Sequence, residues 1–259
     1  MVQELVIKNH VIGQGRPLIC VPVMAAGKAD IIAQIKSLAE RGAQMIEWRV
    51  DAFEDVENLN AIREVLAGVS PYLENTIFVY TFRSKKQGGQ KTLDAGQIYD
   101  IHQIGAESDC VDFVDVEFFE AERPLKEIHT LQKMGAHVIA SHHDFSQTPE
   151  PDVMGMILEK MKDSGADVVK LAVMPHTPED VIHLLNVTAE FHSAYPETPV
   201  ITMSMGRMGC LSRIAGETFG SCVTFGADAV ASAPGQLPME ELDRLLEAVS
   251  CHSAGERCV

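Results

Sequence analysis

Hydrophobic positions along the chain fall into short β-branched runs separated by longer amphipathic stretches. The runs are 18–23 (LICVPV), 45–51 (MIEWRVD), 76–83 (TIFVYTFR), 113–118 (FVDVEF), 137–143 (HVIASHH), 168–174 (VVKLAVM), 200–206 (VITMSMG) and 228–233 (DAVASA). Between them apolar residues recur at helical spacing, as in Ile31, Ile32, Ile35, Leu38 and Ala39, or Val153, Ile157, Leu158 and Met161, or Val181, Leu184, Leu185 and Thr188. Strand–helix units set roughly 24 to 37 residues apart predict a parallel sheet, and eight strands close into a (β/α)8 TIM barrel whose interior side chains can fill. An open doubly wound sheet is the other arrangement that such alternation allows. Leu5, Val6 and Ile7, then Val11 and Ile12, flank Lys8-Asn9-His10 and predict an N-terminal β-hairpin within 1–15 that closes the bottom of the barrel. No composition break marks a second domain, so 1–259 is expected to form one barrel, with 250–259 as a flexible tail.

Strand parity then locates charge. Successive side chains face opposite sides of a strand, and the outward face of a barrel packs on helices. In 45–51, Ile46, Trp48 and Val50 share one parity, whereas Glu47, Arg49 and Asp51 share the other and are predicted to point at the barrel axis or its mouth. Arg83 points inward by the same logic, opposite Phe78, Tyr80 and Phe82. Buried charges must be paired or put to use.

Composition narrows the partners. The chain carries 21 basic and 37 acidic residues, a formal charge of −16, which repels nucleic acid and anionic membrane surfaces. An anionic substrate would have to be held by a few local arginines. Cys20, Cys110, Cys210, Cys222, Cys251 and Cys258 form no C-x-x-C pair and none of the dense spacing of a secreted scaffold, so reduced thiols acting as small buried hydrophobes are expected. The N-terminal segment lacks signal-peptide character and no apolar run is long enough for a membrane span, which predicts a cytoplasmic protein.

Three places carry candidate chemistry. Lys170 interrupts an apolar strand; it is either a lysine snorkelling from a strand end or a nucleophile. In a partly desolvated pocket beside other cations, a lysine keeps some of its amine free to attack a ketone. His142 and His143 end the fifth strand, where acid–base, metal-binding and structural roles compete. Adjacent strand residues face opposite ways, which disfavours shared metal ligation, and His143 has the parity that meets Lys170. Ser232-Ala233-Pro234-Gly235-Gln236 and Gln87-Gly88-Gly89 read as loops at the carboxyl ends of strands, the second of them mobile.

The ordered motifs EWRVD (47–51), TFR with a following G-G (81–89), S-x-HDF (141–145), K-x-A-x-MP (170–175), TMSMG (202–206), SR-x-AGE-x-FGS (212–221), TFGA (224–227) and SAPGQ (232–236) resemble the type I 3-dehydroquinate dehydratases nearly end to end. The resemblance implies a lyase that forms an imine between Lys170 and the ketone of 3-dehydroquinate. His143 would serve as general base and then acid, in the shikimate pathway of aromatic amino acid biosynthesis. It also implies that Glu47, Arg49, Arg83, Arg213, Ser232 and Gln236 contact the substrate, that Arg213 grips its carboxylate, and that Met203 and Met205 form an apolar wall. No metal or organic cofactor is implied, and a homodimer is. Two positions depart from the family pattern: Gln87 stands where enterobacterial relatives carry a glutamate beside the histidine, and Pro22 replaces a serine of some relatives. Gln87 cannot exchange a proton, which raises a second reading, a catalytically impaired or silent dehydroquinate-binding or sensor protein. A class I aldolase would also use a barrel lysine, but no Gly-rich phosphate cradle accompanies this one.

Overall fold

The computed structural model describes residues 5–228 and 232–250. A hairpin, β1 (Leu5–Ile7) and β2 (His10–Ile12), precedes eight parallel strands: β3 (Leu18–Val23), β4 (Met45–Arg49), β5 (Ile77–Thr81), β6 (Phe113–Glu117), β7 (His137–Asp144), β8 (Val168–Val173), β9 (Val200–Ser204) and β10 (Val223–Phe225). The strands pair in the order β10-β3-β4-β5-β6-β7-β8-β9. The ring closes between β9 and the residues leading into β10, where the Cys222 N–H donates to the Val200 carbonyl at 2.8 Å. Helices follow in turn: α1 (Lys28–Glu40), α2 (Leu59–Val69), α3 (Ala95–Ala106), α4 (Pro124–Lys133), α5 (Pro151–Asp163), α6 (Pro178–Ala194), the short α7 (Cys210–Ile214) and α8 (Gly216–Phe219), and α9 (Met239–Val249).

Local sequence sets several helix starts. Asp94 and Gln97 form a reciprocal capping box on α3, and Thr177 and Asp180 form another on α6, with Pro178 supplying a preset φ in the first turn. The (β/α)8 expectation is met, with one correction: the eighth strand is Val223–Phe225, not 228–233. Asp228, Ser232 and Ala233 lie in irregular chain, and 229–231 fall outside the described residues. The three-residue run between Gly220 and Gly226 is too short to stand out by pattern, whereas DAVASA imitates a strand. In the tail expected from Ser250 onward, 251–259 also lie outside the described residues.

Side chains segregate by parity into two apolar layers. Ile46, Trp48, Phe78, Tyr80, Val114, Val116, Val169 and Leu171 pack outward against the helices. Leu18, Cys20, Met45, Ile77, Val79, Phe113, Ile139, Val168 and Ile201 fill the barrel interior, joined from below by Ile7 and Ile12 of the hairpin. The interior is therefore dry and apolar at its amino end. Polar side chains occupy the next level up, at the carboxyl ends of the strands.

Lys8, in the β1–β2 turn with φ +54°, locks the hairpin in place. Its Nζ donates to the carbonyls of Leu73 (2.8 Å) and Thr76 (2.6 Å) and to Asp112 Oδ2 (2.7 Å). Replacing Lys8 with Ala leaves those acceptors to scarce water and should lower stability by about 1–3 kcal/mol. Urea unfolding should show an earlier midpoint with unchanged slope; an unchanged midpoint would mean that the hairpin is held by Ile7 and Ile12 alone.

Candidate active site

β8 turns Lys170 inward, where it is 3% exposed. Its Nζ lies 3.3 Å from Asp115 Oδ2 and 3.6 Å from Glu47 Oε1, and 4.3 Å above the Phe225 ring. This corrects the expectation of cations as its neighbours. β4 and β6 present carboxylates at the level of the amine, and Arg83 reaches it only through the far oxygen of Asp115.

Arg83 is the hub of the buried network. Its Nη2 meets Asp115 Oδ1 at 2.9 Å, and its Nη1 donates to Glu117 Oε1 at 3.1 Å and Ser141 Oγ at 3.0 Å. Burial alone would lower the guanidinium's affinity for its proton, but Asp115, Glu117 and Glu47 more than offset this and hold it charged. Burial likewise works to raise Asp115, yet Arg83 and Lys170 keep its carboxyl below the usual range. Glu47 Oε1 accepts from Thr81 Oγ1 at 3.0 Å, and Arg49 donates two bonds to Asp51, at 2.7 and 2.8 Å.

β7 carries His143 to the same level, two residues beyond Ser141, which pairs in register with Lys170. Gln87 Oε1 accepts from the His143 backbone N–H at 2.9 Å and lies 3.0 Å from ring Nδ1. A backbone N–H only donates, so this atom is an acceptor, and Nδ1 beside it must carry the ring proton. Nε2 is then the basic nitrogen. Burial and the positive field of Arg83, Lys170 and Arg49 push the imidazole well below its ordinary pKa. Phe145 stacks on the ring at 6.4 Å between centroids. Its far edge rests on Gly88, whose φ of +86° and missing side chain admit it. His142 faces away and meets Phe119 edge-on at 5.1 Å.

These groups line one cavity of about 50 Å³, bounded by Glu47, Arg49, Arg83, Gln87, His143, Lys170, Met203, Met205, Ser232 and Gln236, with Phe145, Ala172, Phe225 and Ala233 among its apolar walls. Its lining of charged, amide and hydroxyl groups with a few apolar side chains suits a small polar ligand. In the 232–236 loop, Gln236 Oε1 accepts from the Ser232 backbone N–H at 2.7 Å, and its Nε2 donates to Ser232 Oγ at 2.9 Å. Of the site residues expected from sequence, Arg213 alone is not on the cavity wall. It is 1% exposed behind the wall, donating to the carbonyls of Phe225 (3.4 Å) and Pro234 (3.0 Å). Among the described residues no carboxylate pairs with it.

Sequence reading missed Asp115, Glu117 and Ser141. The signal was available for the first two, since Asp115 and Glu117 share a parity in FVDVEF opposite Val114 and Val116. Ser141 is too small and too common in strands to announce itself.

The family model for type I 3-dehydroquinase matches residues 19–252. The chain belongs to that family. It is similar to the 3-dehydroquinate dehydratase of Clostridioides difficile (strain 630), at 40% identity over 95% of this chain and 97% of that protein. The enzyme of the same name from Bacillus subtilis (strain 168) is 35% identical over 97% of this chain and 99% of its own. Among solved structures, the type I 3-dehydroquinate dehydratase from Clostridium difficile with covalently modified comenic acid superposes with a TM-score of 0.91, covering 96% of this chain and 98% of that one. The 3-dehydroquinate dehydratase from Geobacillus kaustophilus HTA426 superposes at 0.92 with 29% identity, covering 97% and 98%. The fold, the family and the dehydratase activity follow together from full-length likeness.

His143 predicts a pH profile. Its conjugate acid is destabilised, so the free base survives into acid, and the acid limb of kcat/KM should lie below the ordinary imidazole value of about 6.5. A carboxylate beside Nδ1 would stabilise the imidazolium and raise its pKa, so Gln87→Glu should move that limb to higher pH. Stopped-flow or steady-state rates across pH 4.5–8 check both (~0.1-unit precision in the limb suffices). A limb that stays put in the variant would mean another group controls the acid side.

Proposed function

We propose that this type I 3-dehydroquinase dehydrates 3-dehydroquinate to 3-dehydroshikimate through an imine on Lys170, with His143 as general base and then general acid. The observation that carries the reading is a buried primary amine and a protein-held, proton-poor imidazole facing one cavity from adjacent strands. The amine adds to the C3 ketone, and the carbinolamine loses water to give the protonated imine, which acts as an electron sink. His143 Nε2 takes a proton from C2, and the electron pair forms the enamine. That enamine expels the C1 hydroxyl, which leaves as water with the proton returned by His143. Hydrolysis of the conjugated imine restores Lys170. The related clostridial structure with covalently modified comenic acid supports a covalent route in this family.

Substrate would be held by groups that are already placed. Glu47, Arg49, Arg83, Ser232 and Gln236 offer donors and acceptors to ring hydroxyls, while Met203 and Met205 cover an apolar ring face. Arg213, buried without a carboxylate, suits the substrate's carboxylate once it turns from the Pro234 carbonyl. A homodimer working in the cytoplasmic shikimate pathway belongs to this reading on the strength of the family alone. The engaged contact from Gln87 to His143 favours turnover over a silent binding protein.

Borohydride reduction in the presence of 3-dehydroquinate should add the reduced adduct mass to Lys170 alone. Lys170→Met should lower kcat by about four orders of magnitude. Turnover by that variant near the wild-type rate, or an unmodified Lys170 in an active preparation, would overturn the imine route.

A further inference from the structure

Asp51 follows β4 in a 3-10 turn over Val50–Ala52 and is fully buried, yet it does not line the cavity. Its two oxygens gather four donors. Oδ1 accepts from Arg49 Nε at 2.7 Å and from the Arg83 backbone N–H at 3.2 Å. Oδ2 accepts from Arg49 Nη2 at 2.8 Å and from the Gln90 backbone N–H at 3.0 Å. A counter-ion for Arg49 would need only the side-chain pair. The two main-chain bonds come instead from opposite stems of the loop that leaves β5.

That loop is cinched rather than open, contrary to the mobile segment expected from its glycines. Ser84 and Lys91 form a bridge, the Lys85 N–H donates to the Lys91 carbonyl at 3.0 Å, and the Gly89 N–H donates to the Ser84 carbonyl at 2.8 Å. A methyl group on Gly89 would lie 1.8 Å from the Arg83 carbonyl oxygen, so only glycine allows the stems to approach. At the tip, Gln87 accepts from both His143 nitrogens described above. One buried carboxylate thus fixes the neck of a loop whose tip fixes the base.

We propose that Asp51 is a positioning residue: it holds both stems of the 83–90 loop so that Gln87 stays against His143. The proposal rests on His143 acting as the base, and its structural half stands without that. Asp51→Asn sets an NH2 group against two of the four donors and should open the neck. Lys85 and Lys86 are exposed on this loop, so trypsin should cut there about tenfold faster in the folded variant than in the wild type. kcat should fall about 10- to 100-fold, as expected when a catalytic group loses its placement. Gly89→Ala perturbs the same neck without touching the Asp51 or Arg49 side chains, and should reproduce the faster cleavage and the lower kcat.

A double-mutant cycle separates positioning from mere structural support. If Asp51 acts through Gln87, its substitution lowers kcat no further in a Gln87→Ala background. Losses that multiply, or a loop in folded Asp51→Asn and Gly89→Ala proteins as trypsin-resistant as in the wild type, would overturn the proposal. Should the wild-type protein fail to turn over dehydroquinate, the dehydration reading falls, and cleavage at Lys85 and Lys86 still decides whether Asp51 holds the loop.

Discussion

Charge compensation inside the barrel is the constraint on which the site depends. Three cations, Arg49, Arg83 and Lys170, share the upper interior with four carboxylates, Glu47, Asp51, Asp115 and Glu117, all of them buried. Burying any one alone would be costly, and deleting one partner of such a pair typically costs about 3–5 kcal/mol. The network is tolerable because each of the four carboxylates meets at least one donor and each guanidinium meets a carboxylate. Arg83 ties β5 to β6 and β7, Asp51 ties β4 to β5, and Lys170 draws β8 toward β4 and β6. The charges thereby fix the relative heights of five strands at the level of the cavity, while an apolar layer fills the barrel beneath.

This arrangement gives the Lys170 amine and the His143 imidazole different electrostatic settings within one cavity. Lys170 sits among carboxylates and an aromatic face, and His143 sits above the positive ends of the same network. The imidazole is thereby kept neutral, with Gln87 choosing the tautomer. A neutral amide can choose the tautomer as well as a carboxylate can, because orientation needs an acceptor and not a charge. What the amide gives up is the ability to stabilise the imidazolium, which leaves His143 a weaker base that remains free of its proton at lower pH.

Much of the fold was legible in the chain because two periodicities repeat in it. Parity placed Glu47, Arg49 and Arg83 on the inner face, and helical spacing placed the layer outside. Failure occurred where the signal depended on length or on contact across the barrel. The run at Val223–Phe225 has only three strand residues, fewer than any pattern needs, and DAVASA had the right composition in the wrong place. The neighbours of Lys170 could not be read from β8, since Asp115 and Glu47 lie on strands two and four places away around the sheet. Nor do glycines reveal whether a loop is free or cinched: Gly89 is required here because the stems touch.

Arg213 shows how local structure can override the protein's overall charge. A formal −16 repels an anionic substrate at long range, and Arg49 and Arg83 are already neutralised by their carboxylates. Arg213 is different. Its partners are main-chain carbonyls, which hydrogen-bond a guanidinium without cancelling its charge, and its Nε has no partner among the described residues. Burial works against its charge, so under the proposed reading an anion beside the 232–236 loop would relieve that penalty. Recognition on the proposed terms would come from placement rather than from steering, which would allow an acidic protein to take an acidic substrate.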